Sequence, residues 1–163
     1  MITVYTKRVR EIKKLKEDLE RKLDVKLKFV PSGIEVDGES FSEYTASVVL
    51  EAIKFGFSVK KALLLKEEDF VFKIIHIKSH TRRNLRDIVA RLAGAKGKAK
   101  RVISDISDCE IVIHEGDVGI IGEFMNVENV STAIVSLIKG AKHSNVYHYL
   151  ERMNVAKRGQ IFD

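Results

Sequence analysis

Two glycines three residues apart, Gly94 and Gly97, stand in a strongly basic part of the chain. Glycine has no Cβ and tolerates positive φ, so a ligand can approach the backbone of such a turn closely. A helix that begins directly after the turn points free N–H groups at the same space, and these groups bind anions such as phosphate. The pattern indicates a site for a polyanion, whose charge would be met by the cations of the turn: Lys96, Lys98, Lys100 and Arg101.

The positive charge of the chain is concentrated around this turn. Residues 78–101 contain nine lysines and arginines against a single acid, Asp87, which gives a net charge of +8. The whole chain of 163 residues carries only +6, so the remainder is slightly acidic. A local basic segment of this kind is typical of a nucleic-acid-binding surface rather than of general solubility.

Other site chemistries find no support in the sequence. The single cysteine, Cys109, has no partner for a disulfide and no evident histidine–asparagine set to activate it as a nucleophile. The five histidines show no metal-ligand spacing, and the glycine motifs that bind nucleotide phosphates are absent. We therefore expect no metal, no cofactor and no catalytic residue, so the protein is predicted not to be an enzyme.

The sequence also indicates the cellular compartment in which the protein is expected. The longest apolar stretches fall far short of the ~20 residues that a membrane helix needs. The N-terminus lacks the charged-then-apolar order of a signal peptide. We expect a cytoplasmic protein that makes no contact with a membrane.

Amphipathic helices are predicted on both sides of the glycine pair. Apolar residues recur at helical spacing before the turn, at 85–92, and after it, at 102–106. Strands are predicted at 70–77, 111–113 and 118–121, and a last helix at 128–139. The turn would thus be held between two helices that pack on a sheet.

The first half of the chain shows the same order of elements. The patterns predict a strand at 2–6, a helix at 9–23, strands at 25–29 and 34–36, and a helix at 42–54 with Tyr44 facing inward. When the halves are overlaid with an offset of 84 residues, Asp24 meets Asp108 and Gly38 meets Gly122. The overlay predicts a duplicated unit.

The predicted divisions of the chain follow from this duplication. They are 1–57 for the first unit, 58–69 for a short helical linker, 70–142 for the second unit and 143–163 for a C-terminal segment. Within the last segment, Val146, Tyr147 and Leu150 follow a helical pattern. We expect this segment to pack back onto the body between the halves or to form a surface for a partner.

The order strand, helix, Gly-x-x-Gly, helix, two strands and helix is that of a KH domain. The run from Gly94 to Ile103 also resembles the ribosome-assembly KH proteins known as partner of Nob-one, or Dim-two. Segments 120–123, 137–144 and 146–151 are similar to the same family, and the resemblance covers about residues 45–152. It implies the α/β (α+β) class, with two type I KH-like units, each a three-stranded antiparallel sheet with helices packed on one face.

The resemblance also implies a function. Members of this family are non-enzymatic factors that bind single-stranded ribosomal RNA near the 3′ end of the small-subunit RNA and help that subunit to assemble or mature. The expected partners are this RNA, a Nob-one-type endonuclease and other assembly or translation factors. An alternative from another class is a protein–protein adaptor that keeps the KH scaffold and has weak affinity for RNA.

In such a site the glycine turn lies against sugar-phosphate, and bases lie along an apolar groove. The predicted RNA-binding residues are Arg91, Gly94, Ala95, Lys96, Gly97, Lys98, Lys100, Arg101, Ile103 and Ile113. Ile88, Leu92 and Ile111 would complete the groove, although each apolar residue taken alone fits a core better than a groove.

This chain departs from the family pattern in two places. Ala95 stands where the family usually carries a basic residue. The first unit has the sequence Arg10-Glu11-Ile12-Lys13 where the overlay expects the two glycines, so it is predicted to be a degenerate copy without a clamp.

Overall fold

The computed structural model describes the backbone of residues 1–162 and the side chains of residues 1–156. The chain forms two compact units, one made by residues 1–70 and one that begins at residue 71. Residues 58–69 therefore belong to the first compact unit, and the helix that begins at His143 belongs to the second.

The first unit is built around a three-stranded sheet with the order β1-β3-β2. Both strand pairs are antiparallel, and Leu27 lies opposite Val36. The elements are β1 (Ile2–Tyr5), α1 (Val9–Lys14), α2 (Lys16–Leu23), β2 (Lys26–Val30), β3 (Gly33–Asp37), α3 (Ser40–Phe55) and α4 (Val59–Ala62), which continues as a 3-10 turn, Leu63–Lys66.

The second unit repeats this plan, with the sheet order β4-β6-β5. β5 and β6 pair antiparallel, and Ile111 lies opposite Ile120. The elements are β4 (Phe70–His76), a 3-10 turn (Ile77–Ser79), α5 (Leu85–Ala93), a 3-10 turn (Ala95–Gly97), α6 (Lys98–Ser107), β5 (Glu110–His114), β6 (Asp117–Glu123), α7 (Phe124–Ile138) and α8 (His143–Phe162). The predicted fold class is confirmed.

The duplication is confirmed by backbone details at the offset of 84 residues. Asp24 ends α2 in the left-handed conformation with φ 54°, and Asp108 ends α6 with φ 55°. Gly56 follows α3 with φ 140°, and Gly140 lies two residues after α7 with φ 107°. Because each of these glycines precedes a further helix, the repeat places α4 of the first unit at the position of α8 in the second.

The core of the second unit is formed by apolar faces of the sheet and all four helices. α5 contributes Ile88 and Leu92, α6 contributes Ile103, and β5 contributes Ile111, all at most 6% exposed. Burying one such side chain contributes about 1.5–3 kcal/mol. α8 joins the same core through Val146 and Leu150, so the segment that begins at His143 packs onto the second unit.

Two details of the first unit differ from the prediction. Tyr44 was expected to face inward, but its side chain is 64% exposed. The predicted helix at 9–23 is broken at Leu15, whose backbone (φ −110°, ψ 18°) is not helical. The Leu15 N–H donates to the Ile12 carbonyl 3.1 Å away, which closes α1 as a tight last turn before α2 begins.

Candidate nucleic-acid interface

The turn between α5 and α6 depends on Gly94. This residue ends α5 with φ 76° and ψ 173°, a combination that is essentially restricted to glycine. A Cβ at Gly94 would also lie 2.7 Å from both the Cβ and the backbone nitrogen of Ala99, on α6. Gly94 therefore lets the two helices approach each other closely.

Gly97 has a different environment at the other end of the turn. It stands directly before α6 in the left-handed conformation, with φ 74° and ψ 14°, and Lys96 before it has φ 54°. A Cβ built on Gly97 would meet no atom within 4 Å. No side chain caps the start of α6, so the open face of the turn leads to the positive end of the helix.

Cationic side chains surround this open face. Lys96, Lys98 and Arg101 are exposed, and Lys100 is half-buried. Ala95, at the tip of the turn, is exposed as well. The arrangement presents backbone, helix end and positive charge together, which is the combination that binds a phosphate.

α5 is fixed at both of its ends. At the start, Asn84 Oδ1 accepts hydrogen bonds from the N–H groups of Arg86, at 2.9 Å, and Asp87, at 3.4 Å. Near the end, the Arg91 carbonyl lies 2.9 Å from Nε2 of His143. A carbonyl can only accept, so Nε2 carries the proton in this contact.

Arg91 differs from the sequence prediction. Its Nε donates to the Leu137 carbonyl at 3.1 Å, and its Nη2 donates to the Ala141 carbonyl. These carbonyls lie near the end of α7 and at the connection to α8, where helix carbonyls lack intrahelical partners. Arg91 therefore holds α5 against α7 and α8, and two nitrogens of the guanidinium that was predicted to contact RNA are engaged by these carbonyls.

The apolar part of the site also needs correction. Ile103 was predicted to contact RNA, but its side chain is 0% exposed in the core. Ile88, Leu92 and Ile111 are buried with it, so these residues support the groove from below. Of the predicted groove residues, Ile113 alone is half-buried.

Sequence reasoning missed two half-buried residues of α5, Leu85 and Val89, as candidates for the groove. They lie four residues apart and so share one helix face. The Leu85 side chain adjoins Gly116 in the β5–β6 turn, where an added Cβ would come within 3.3 Å of it. In the sequence, their position at the edge of the apolar stripe of α5 could have indicated that they are only partly covered by the core.

Part of the basic segment 78–101 lies beside the connection between α7 and α8. A Cβ on Gly140 would be 3.4 Å from Nη1 of Arg83. Lys78 Nζ in turn donates to the Arg83 carbonyl at 3.4 Å. Arg83 therefore lies close to the connection between α7 and α8, and Lys78 lies close to Arg83.

Other chemistry-bearing residues have structural surroundings. Cys109 is 1% exposed, as expected of a small core residue. Its Sγ packs against Gly122 so closely that a Cβ added to this glycine would lie only 2.7 Å from it. Among residues 1–156, His, Cys, Asp and Glu side chains form no group of three or more that could hold a metal ion. In the part of the chain that the structure describes, no helix is long and apolar enough to span a membrane.

Comparison with known proteins places this architecture in a family. Residues 71–155 match the model of the second KH domain of PNO1, described as a eukaryotic-type KH domain (KH-domain type I). A KH domain-containing protein of Methanocaldococcus jannaschii is 27% identical over 146 residues, which cover 85% of this chain and 64% of that protein. The pre-rRNA-processing protein pno1 of Emericella nidulans is 28% identical over 142 residues, which cover 81% and 55%.

A solved structure agrees over nearly the whole chain. It is the a/eIF2alpha–aDim2p–rRNA complex from Pyrococcus horikoshii OT3, with a TM-score of 0.82, 25% identity and coverage of 95% of this chain and 94% of that one. The chain spans between 37% and 64% of the length of the curated relatives compared with it. Since the family model matches more than half of the chain and contains the glycine turn, the chain belongs to the PNO1/Dim2-type family of KH proteins.

Proposed function

We propose that this protein binds single-stranded RNA at the turn between α5 and α6 and acts in the assembly of the small ribosomal subunit. The observation that carries the proposal is the asymmetry of the two glycines. Gly94 is packed against Ala99, whereas Gly97 faces open space at the start of α6. A rigid turn with an accessible backbone beside a helix N-terminus suits a sugar-phosphate chain.

The proposed contacts divide into two groups. The backbone of residues 94–97 lies against the sugar-phosphate, and four cations neutralise phosphates: Lys96, Lys98, Lys100 and Arg101. Bases lie along the half-buried apolar residues Leu85, Val89 and Ile113, above a core that includes Ile103. A single KH clamp of this kind holds about four nucleotides.

The relatives support ribosomal RNA as the ligand. The protein from Emericella nidulans is named for pre-rRNA processing. The Dim2p of Pyrococcus horikoshii was solved in a complex with rRNA and a/eIF2alpha. We propose that the ligand here is small-subunit rRNA near its 3′ end, and that the partners are a Nob-one-type endonuclease and other assembly or translation factors.

The proposal includes the mode of action and the compartment. The protein acts by binding rather than by catalysis, and it works in the cytoplasm. The second unit, residues 70–142, provides the clamp, and residues 1–57 form a degenerate unit without one. Residues 10–13, where the overlay expected glycines, lie within α1 in support of this division.

The test is RNA binding by a double variant, Ala95→Asp with Lys96→Asp. Both residues are exposed, so the fold should persist while two carboxylates face the phosphate. Fluorescence anisotropy with a labelled single-stranded oligonucleotide should show loss of binding. Lys26→Asp with Lys28→Asp, two exposed residues of β2, is the control that removes lysines elsewhere. Unchanged affinity in a folded Ala95/Lys96 variant would contradict the proposed site.

A salt series distinguishes the RNA-binding function from the adaptor alternative. Each phosphate neutralised on a single strand contributes about −0.7 to the slope of log K against log salt concentration. Four cations at the turn therefore predict a slope of roughly −3. An adaptor with weak RNA affinity would show a shallow slope and little effect of the double variant.

A further inference from the structure

The first unit contains a groove on the side of α2 that faces α4 and the 3-10 turn after it. Its volume is about 440 Å³. Leu19 and Val59 at its base are buried, whereas Leu15 is 38% exposed. The lining residues come as two helical stripes: Leu15, Asp18, Leu19 and Lys22 on one side, and Val59, Lys60, Leu63 and Lys66 on the other.

The internal repeat shows what the second unit has at the matching positions. With the offset of 84 residues, Val59 corresponds to His143 and Leu63 to Tyr147. The rings of His143 and Tyr147 lie 6.1 Å apart, and Tyr147 packs against the core of the second unit. The first unit has smaller aliphatic side chains at both positions, which leaves room that two rings take up in the other copy.

The opposite side of the groove has changed as well. Lys22 stands where the second unit has Ile106, which packs against its core. The helical segment that begins at Val59 ends at Lys66, whereas α8 extends to Phe162. The first unit therefore has a shorter, more polar version of a helix pair that packs against the core in the second.

Charge defines what the groove would accept. Lys22, Lys60 and Lys66 on its rim are exposed. The one acid on the rim, Asp18, is paired with Arg21 at 2.6 Å, so the lysines dominate. An aliphatic base within a positive rim complements a helix that carries bulky apolar residues on one face and acids beside them.

We propose that this groove binds an acidic amphipathic helix of a protein partner, which inserts a bulky apolar side chain beside Leu63. RNA fits the groove less well, because its lining residues include no aromatic ring on which a base could stack. The proposal is independent of RNA binding at Gly94–Gly97.

The probe is a synthetic helical peptide of about 15 residues. It carries one Phe and two Leu at i, i+3 and i+7, with Glu and Ala elsewhere. A scrambled peptide of the same composition, without an apolar stripe, tests whether charge alone suffices. Spectra of ¹⁵N-labelled full-length protein should show shifts at Leu15, Leu19, Val59 and Leu63 with the amphipathic peptide only.

Variants then test the two parts of the groove. Leu63→Tyr introduces the side chain that the second unit has at this position and should weaken the peptide about tenfold or more. Lys22→Glu with Lys60→Glu should do the same through the rim. Lys26→Glu with Lys28→Glu makes the same change in net charge on β2 and should have less than about a twofold effect.

The outcomes distinguish binding of an amphipathic helix from binding by charge alone and from binding of RNA. Equal binding of the scrambled peptide, or shifts outside the groove, would overturn the proposal. So would a loss of RNA affinity in the Lys22/Lys60 variant as large as that caused by charge reversal at Lys98 and Lys100, since the groove would then be an RNA surface. If Leu63→Tyr does not fold, the Lys22/Lys60 pair decides, because both lysines are exposed.

Discussion

Replacement by alanine should lower mainly the stability at Gly94 and mainly the affinity for RNA at Gly97. At Gly94, the backbone conformation costs a non-glycine residue about 1–3 kcal/mol. The added Cβ also lies 2.7 Å from Ala99, a contact that the helix backbone cannot easily relieve. Overpacking of this kind costs a further 1–3 kcal/mol or so, so Gly94→Ala should destabilise the second unit by about 2–6 kcal/mol.

Gly97→Ala should be much milder for the fold. Gly97 is in the ordinary left-handed region, where a residue with a Cβ pays about 1–2 kcal/mol, and the new methyl group meets no atom within 4 Å. That methyl group enters the space proposed for the sugar-phosphate. We therefore expect RNA binding to weaken about tenfold, or about 1.4 kcal/mol, in a protein that is still folded.

Urea titration followed by ¹H–¹⁵N spectra provides the assay, because it reports the unfolding of each unit separately. Amide signals of β5 and α7 follow the second unit, and those of β2 and α3 serve as an internal control. The affinity of each variant for RNA is measured by fluorescence anisotropy with a single-stranded oligonucleotide in urea-free buffer. Equal destabilisation by the two variants, or unchanged RNA affinity in Gly97→Ala, would refute the reasoning from the two glycine environments.

Three further predictions follow from other contacts. Charge reversal at Lys98 and Lys100 should weaken RNA binding, measured by anisotropy at fixed salt, far more than reversal at two exposed residues of α1, Arg10 and Lys13. Arg8 is unsuitable as a control because its Nη1 donates to the carbonyls of Ile53 and Phe57. Arg91→Ala should destabilise the second unit by about 1–3 kcal/mol, because its contacts with α7 and α8 are lost. Amide hydrogen exchange at 137–146 should become faster. Unchanged protection there would argue against the role of Arg91 in holding α5 against α7 and α8. The pKa of Glu43 lies below its ordinary value of 4.5, because its carboxylate accepts hydrogen bonds from the N-terminal ammonium and the Gly38 N–H. Ionised Glu43 thus stabilises the first unit above about pH 4.5, and this contribution is lost as the pH falls through the lowered pKa, so Glu43→Gln should show a flatter dependence of stability on pH in the acid range.

Much of the fold follows from local patterns in the sequence. The helices on either side of the glycine turn were predicted from apolar residues such as Ile88 and Leu92, whose spacing is set by helix geometry. The duplication was predicted because Asp24 and Asp108 occupy the same helix end, where a short polar residue tolerates the left-handed conformation.

The errors arise where tertiary contacts decide. Nothing local distinguishes Arg91 from the other cations of its segment; only the carbonyls of Leu137 and Ala141, about 50 residues away in the chain, give it a structural role. Ile103 and Ile113 are both apolar, and the sequence pattern does not show that one is fully buried while the other is half-buried. Tyr44 fits the apolar stripe of its helix, yet its side chain is 64% exposed, so this position of the helix lies at the surface.

The two units illustrate how one fold can carry different surfaces. The clamp needs a glycine where α5 meets α6, because Gly94 and Ala99 approach too closely for any Cβ. In the first unit, the single non-helical residue Leu15 joins α1 directly to α2, so no glycine turn separates the two helices. The same unit has lost the aromatic filling that Tyr147 supplies in its copy. Loss of the clamp and opening of a groove therefore occur in the same copy, as expected if one unit holds RNA and the other holds a protein.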